Sequence, residues 1–156
     1  MSNIKTLQKV VEIAEKRRDE ALTALAQVQR EWLMAKEQMD QLKAYGKEAE
    51  DRWVLRSGTG VDAALLHHHR HFMQKVEHAI EFQRGVLNQR EALVERNRSH
   101  VYAAERDVAG LKKYTERKQE ALDLKAMRQE QKSTDEMALT IHMRQSLMRA
   151  QQGLRT

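Results

Sequence analysis

Leu7, Ala14, Ala21, Val28, Ala35, Leu42 and Ala49 form a row of small or aliphatic residues, seven positions apart. A second row, offset by four, runs Val11, Arg18, Leu25, Trp32, Met39, Gly46 and Trp53. Rows at 4-3 spacing share one side of a helix and make a seam that only another helix can cover. The same period returns after residue 70 as Met73, Ile80, Leu87, Val94, Val101 and Val108. Three residues on, the companion row is mixed: Val76, Gln83, Arg90, Asn97, Ala104 and Leu111. Phe72, Ala79, Val86 and Leu93 widen the apolar face on its other side. Polar residues such as Gln83, Arg90 and Asn97 cost stability in a seam, and where they lie on it they can fix its register.

Between the two patterns, Ser57-Gly58-Thr59-Gly60 is the one glycine-dense stretch and the one credible reversal of the chain. The pattern therefore predicts an all-α fold, a long antiparallel two-helix coiled coil. Helix one spans about residues 3–56, the turn about 57–61 and helix two about 62–140. A parallel dimer is the alternative, but it leaves the glycine turn without a purpose. Ser2 or Asn3 can cap helix one and Asp62 can cap helix two. Ala14, Ala21, Ala35 and Ala49 allow the helix axes to approach at the close end of roughly 8–10 Å. Folding about residues 57–62 sets Leu7 opposite residues 111–115, so that everything beyond Thr115 lacks a partner within the chain. Apolar character nevertheless continues there, through Leu122, Leu124 and Met127, then Met137, Leu139, Ile141, Met143, Leu147 and Met148. Residues 141–156 form a basic tail, in which Arg144, Arg149 and Arg155 meet no acid, and which is expected to be frayed or disordered.

Composition agrees with a seam rather than a thick core. Charged residues make up 33% of the 156 residues and aromatics 4%, with a mean hydropathy of −0.80. The absence of proline removes the commonest helix breaker. The absence of cysteine excludes disulfides, thiolate zinc sites and thiol catalysis, and fits a reducing compartment. The opening residues are already heptad-patterned and do not read as a signal peptide, and no apolar run is long enough to span a membrane. A net charge of +5 is spread over helices where acids and bases alternate, which reads as a solvated face. A nucleic-acid-binding coiled coil would use the basic tail, but no aromatic-basic patch supports that contact; a cytoskeletal tether or dimeric scaffold is a separate alternative.

Chemistry is thin. No phosphate-binding glycine loop occurs, and neither glycine pair matches a dinucleotide fingerprint. Two helices offer no walled cleft in which a carboxylate could be tuned. No catalytic, cofactor or metal site is expected, and the chain reads as a non-enzyme. His67-His68-His69-Arg70-His71 is the sharpest oddity. His67 and His71, four apart, could reach one metal ion, but Lys75 stands where a third ligand would help. The cluster reads as the polar, solvated first turn of helix two. Trp32 and Trp53 lie in the second seam row with Tyr45 beside it. They read as packing, with exposed rings able to anchor a partner.

The ordered set of short motifs resembles the FliJ family of the bacterial flagellar type III export apparatus. It comprises Leu7, Ala14-Glu15-Lys16, Asp19, Ala21 and Leu25, then Ala35, Glu37-Gln38, Leu42, Tyr45 and Glu48. Phe72, Glu77 and Ala79-Ile80-Glu81 follow the turn, and Arg128-Gln129-Glu130-Gln131-Lys132 with Asp135-Glu136 closes it. The resemblance covers about residues 5–140 and omits His67–Arg70 and the last residues. It implies a hairpin similar to the gamma-subunit stalk of rotary ATP synthases. It also implies a cytoplasmic protein, peripherally associated with the inner-membrane export apparatus and serving flagellar assembly and motility. The partners implied are the hexameric export ATPase FliI, the cytoplasmic region of the gate protein FlhA, and export chaperones. The family's gate-binding surface falls on Gln38, Leu42, Tyr45, Phe72 and Ala79, while this chain departs from the family pattern at Ala49, Val76 and Gln83. The ATPase is expected at the end where the termini converge, on Ala14, Glu15, Lys16, Gln131, Lys132, Asp135 and Glu136. The equivalent stalk of a virulence injectisome is the nearest alternative.

Overall fold

The computed structural model describes residues 2–154, with side chains from residue 3. Two helices account for nearly all of it: α1, Ser2–Ser57, and α2, Ala63–Leu154. No strand occurs among the described residues. The fold is an all-α antiparallel coiled-coil hairpin. α1 ends within one residue of the position its pattern predicted. Asn3 already lies inside α1, and the side chain of Ser2, the other proposed cap, lies outside the described residues.

The reversal is built from local hydrogen bonds. Thr59 N–H donates to the Arg56 carbonyl and Gly60 N–H to that of Ser57, both at 3.3 Å. Gly60 takes φ +94°, a left-handed conformation that only glycine adopts without strain. Asp62 then caps α2 as expected, its Oδ1 accepting the Leu65 N–H at 2.8 Å.

The chain divides into two compact units, Ile13–Val108 and Met1–Glu12 with Ala109–Thr156. In the first, every member of both α1 rows and all three α2 rows that falls within it is buried or half-buried. Pairing runs antiparallel: Glu31 meets Arg90 at 3.4 Å, Gln38 meets Gln83 at 3.2 Å, and Glu50 meets His69 at 3.2 Å. The polar seam residues all have partners. Gln83 also donates to the Ala35 carbonyl at 2.9 Å, and Asn97 donates to the Leu93 carbonyl at 2.8 Å. No buried side-chain nitrogen or oxygen is left unsatisfied among the described residues. Close approach is enforced at Gly46, where a Cβ would stand 3.0 Å from Val76 Cγ1.

In the second unit, the first turns of α1 lie along α2. Asn3, Ile4, Thr6 and Leu7 share a shallow groove with Tyr114, Lys118 and Leu122. Gln8, Val11 and Glu12 share another with Lys112, Thr115 and Glu116. Thr115 is the last half-buried residue of α2, and from Glu116 onward every described side chain is exposed. The helix does not stop near residue 140, where the sequence pattern placed its end. It continues to Leu154, through the stretch expected to fray. The physical reason is negative: no proline occurs, and Gly153 is the one glycine after Gly110, so nothing breaks the backbone ladder.

Candidate functional site

The proposed gate-binding residues all belong to the Ile13–Val108 unit, and the seam decides how far each can reach a partner. Ala79 and Leu42 are half-buried because they serve the apolar face as well. Gln38 is exposed, with its Oε1 held by Gln83. Tyr45 is 55% exposed and meets Phe72 edge to face, ring centroids 5.7 Å apart and planes at 70°. Tyr45 and Phe72 open onto a groove of ≈ 270 Å³ lined also by Glu48, Ala49, Arg52, Trp53, Arg56 and His69. The structure thus brings Tyr45 and Phe72 together in one concavity, while Gln38, Leu42 and Ala79 lie outside it.

That groove contains a feature the sequence reading missed. His69 is stacked on Trp53, centroids 4.2 Å apart and planes within 5°, and its Nε2 lies 3.2 Å from Glu50 Oε2. It is half-buried, unlike His67, His68 and His71, which are exposed. The signal was available, because His69 precedes Val76 and Gln83 by whole heptads and so belongs to their seam row. His67 and His71 face each other with parallel rings 6.5 Å apart. No group of three or more His, Cys, Asp or Glu that could hold a metal occurs among the described residues. Farther along the same unit, Trp32 and Leu33 border a second groove of ≈ 320 Å³ with Gln29, Glu91, Val94, Glu95 and Arg98. Lys36 Nζ lies 5.3 Å above the Trp32 ring.

The residues proposed for the ATPase fall in both units. Ala14, Glu15 and Lys16 belong to Ile13–Val108, where Ala14 is buried in the seam, Glu15 is half-buried and Lys16 is exposed. Gln131, Lys132, Asp135 and Glu136 are exposed on α2 in the other unit. There Gln131 donates to Asp135 Oδ1 at 3.1 Å, and the Glu136 carbonyl accepts from Thr140 at 2.9 Å. All of these are contacts of a solvated helix, and none forms a cleft.

The paired helices thus carry two shallow aromatic-lined grooves, and α2 runs on from Glu116 with every described side chain exposed. The family model for the flagellar FliJ protein matches residues 3–147, nearly the whole chain. The chain belongs to the FliJ family. A solved structure of a YscO homologue from Chlamydia trachomatis shares the fold with this FliJ-family chain at a TM-score of 0.70. The likeness covers 92% of this chain and 93% of that one, at 19% identity. No curated protein matches the sequence. The FliJ match extends past residue 140, beyond the reach of the short motifs, into the helical tail. No helix among the described residues is long and apolar enough to cross a membrane.

Proposed function

We propose that this protein is a non-enzymatic, stalk-like adaptor of the bacterial flagellar type III export apparatus, one that binds and stimulates the hexameric export ATPase and links it to the export gate. Membership of the FliJ family over residues 3–147 carries the reading. The architecture supports it in two ways. From Glu116 to Leu154, α2 presents charged and apolar side chains around its whole circumference, as a helix enclosed by a ring of subunits must. The edge-to-face pair Tyr45–Phe72 offers an aromatic anchor for the gate protein's cytoplasmic region. Escort of export chaperones is a further role of the same adaptor, and the protein works at the cytoplasmic side of the inner membrane. The fold shared with a YscO homologue keeps the equivalent injectisome stalk as the second reading.

The deciding experiment adds the purified full chain to the cognate export ATPase. ATP hydrolysis is expected to rise several-fold, with no hydrolysis by the chain alone. A chain ending at Thr115, verified helical by circular dichroism, is expected to stimulate far less. An unchanged rate with the full chain would overturn the stalk reading. Tyr45→Ala with Phe72→Ala is expected to abolish capture of the gate protein's cytoplasmic region while leaving ATPase stimulation intact.

A further inference from the structure

One histidine cluster has no part in the gate or ATPase surfaces: His67-His68-His69-Arg70-His71, near the start of α2. The hairpin divides it. His69 is drawn into the seam, stacked on Trp53 and beside Glu50. His67 and His71 stay exposed, with ring centroids 6.5 Å apart and planes at 9°. We propose that His67 and His71 form a two-imidazole chelate for a divalent transition metal, copper(II) or nickel(II) ahead of zinc. The bound ion fastens the first turns of α2 beside the reversal.

Helical spacing carries the argument. Side chains at i and i+4 stand one above the other, with Cβ atoms about 5–6 Å apart. Two ring nitrogens bound to one ion lie about 3 Å from each other, which sets the ring centroids about 5 Å apart. Both rings are exposed, so the observed 6.5 Å closes by side-chain rotation against no packing. Once one imidazole holds the ion, the second binds intramolecularly, at an effective concentration of about millimolar or above. Both residues stand past the first turn of α2, beyond which the helix dipole opposes a cation little.

The donors select the metal. Neutral imidazoles suit copper, nickel and zinc, whereas magnesium and calcium call for oxygen ligands. Asp62 is engaged in capping α2 and Glu50 in holding His69. Lys75, one turn beyond His71, adds no ligand. Two protein ligands fall short of the set that closes a structural zinc site. A tetragonal ion that completes its coordination with water accepts such a pair, which puts copper(II) first and nickel(II) next.

The probe is nickel(II) chloride, titrated calorimetrically into the full chain carrying no polyhistidine tag. One ion per chain is expected to bind, with copper(II) binding more tightly and magnesium not at all. His67→Ala and His71→Ala are each expected to weaken binding about tenfold or more, because either change destroys the chelate. His68→Ala and His78→Ala should bind like the parent. All four positions are exposed, so circular dichroism should show every variant as helical as the parent. Saturating nickel(II) should raise the thermal midpoint of the parent and slow amide exchange around residues 63–75. It should do neither in the double variant, His67→Ala with His71→Ala. Nickel(II) binding that survives the double variant would place the ion on other donors and overturn the proposal. A loss on His68→Ala equal to that on His67→Ala, or no saturable binding by the parent, would also overturn it.

Discussion

The side-chain amide of Gln83 donates to the backbone carbonyl of Ala35 across the seam, at 2.9 Å. Gln83 is only 8% exposed and Ala35 4%, so the smallness of Ala35 makes room for a polar chain in the interior. A second donation, to Gln38 Oε1 at 3.2 Å, uses the same amide nitrogen. Gln83→Ala is expected to cost about 1–2 kcal/mol, from lost hydrogen bonds and lost packing. Gln38→Ala, at an exposed position, should cost about 0.5 kcal/mol. Urea denaturation of the two single variants and the double should reveal a coupling of about 0.5 kcal/mol. Strict additivity would mean that the Gln83–Gln38 bond contributes nothing.

Gly46 packs against Val76 across the seam, where a Cβ that glycine lacks would stand 3.0 Å from Val76 Cγ1. Alanine is the better helix former by about 1 kcal/mol. Val76 is buried and stiff at χ1, so it yields poorly. Gly46→Ala is therefore expected to destabilise the hairpin by about 1 kcal/mol. In a Val76→Ala background the clash is gone, and the same change should stabilise by about 1 kcal/mol. Thermal or urea unfolding of the four chains reads the reversal of sign directly, and the same sign in both backgrounds would contradict the packing argument.

These two contacts show why so much of the fold was legible. The seam rows of both helices can be read as a period, and a period constrains every member at once, so all of them are covered. Glycine density and an aspartate placed the reversal and its cap in the same way. What the period could not supply was pairing across the seam. His69 looked like part of a solvated histidine run because its local neighbours are polar. Only the register of α1 against α2 sets it over Trp53 and beside Glu50. The extent of α2 escaped for a different reason: its end was placed near residue 140, where no partner remains, whereas the helix runs on to Leu154 because no breaker interrupts it. Among the candidate contact residues, Tyr45 and Phe72 converge because they face each other across the seam. Gln131 to Glu136 carry no tertiary contact that would mark them out.

Trp53 is covered by the His69 ring, 4.2 Å away and nearly parallel. His69→Ala should uncover the indole and shift its emission to the red, most cleanly with Trp32 replaced by phenylalanine. Loss of the stacked pair should also lower stability by about 1 kcal/mol. His67→Ala, at an exposed position outside the seam row, is expected to leave the emission unchanged. An identical spectrum after His69→Ala would show that the stack does not persist in solution.

The contrast between Val101 and Met143 gives the last prediction. Val101 is buried, whereas Met143 lies on a stretch of α2 in which every described side chain is exposed. A helix without tertiary cover is held by propensity alone, and in water that leaves it close to its melting point. Amide hydrogen exchange should therefore divide α2 sharply. Residues around 76–108 should exchange only through global opening, whereas those around 123–154 should exchange through local fraying, orders of magnitude faster. Deleting everything after Leu122 should leave the urea midpoint of the remaining hairpin unchanged, because no buried residue is removed. Adding the export ATPase to the full chain should slow exchange in 123–154 and leave 76–108 as it was. Protection confined to the Tyr45–Phe72 region instead would move the ATPase contact to the turn-proximal part of the hairpin and away from the tail.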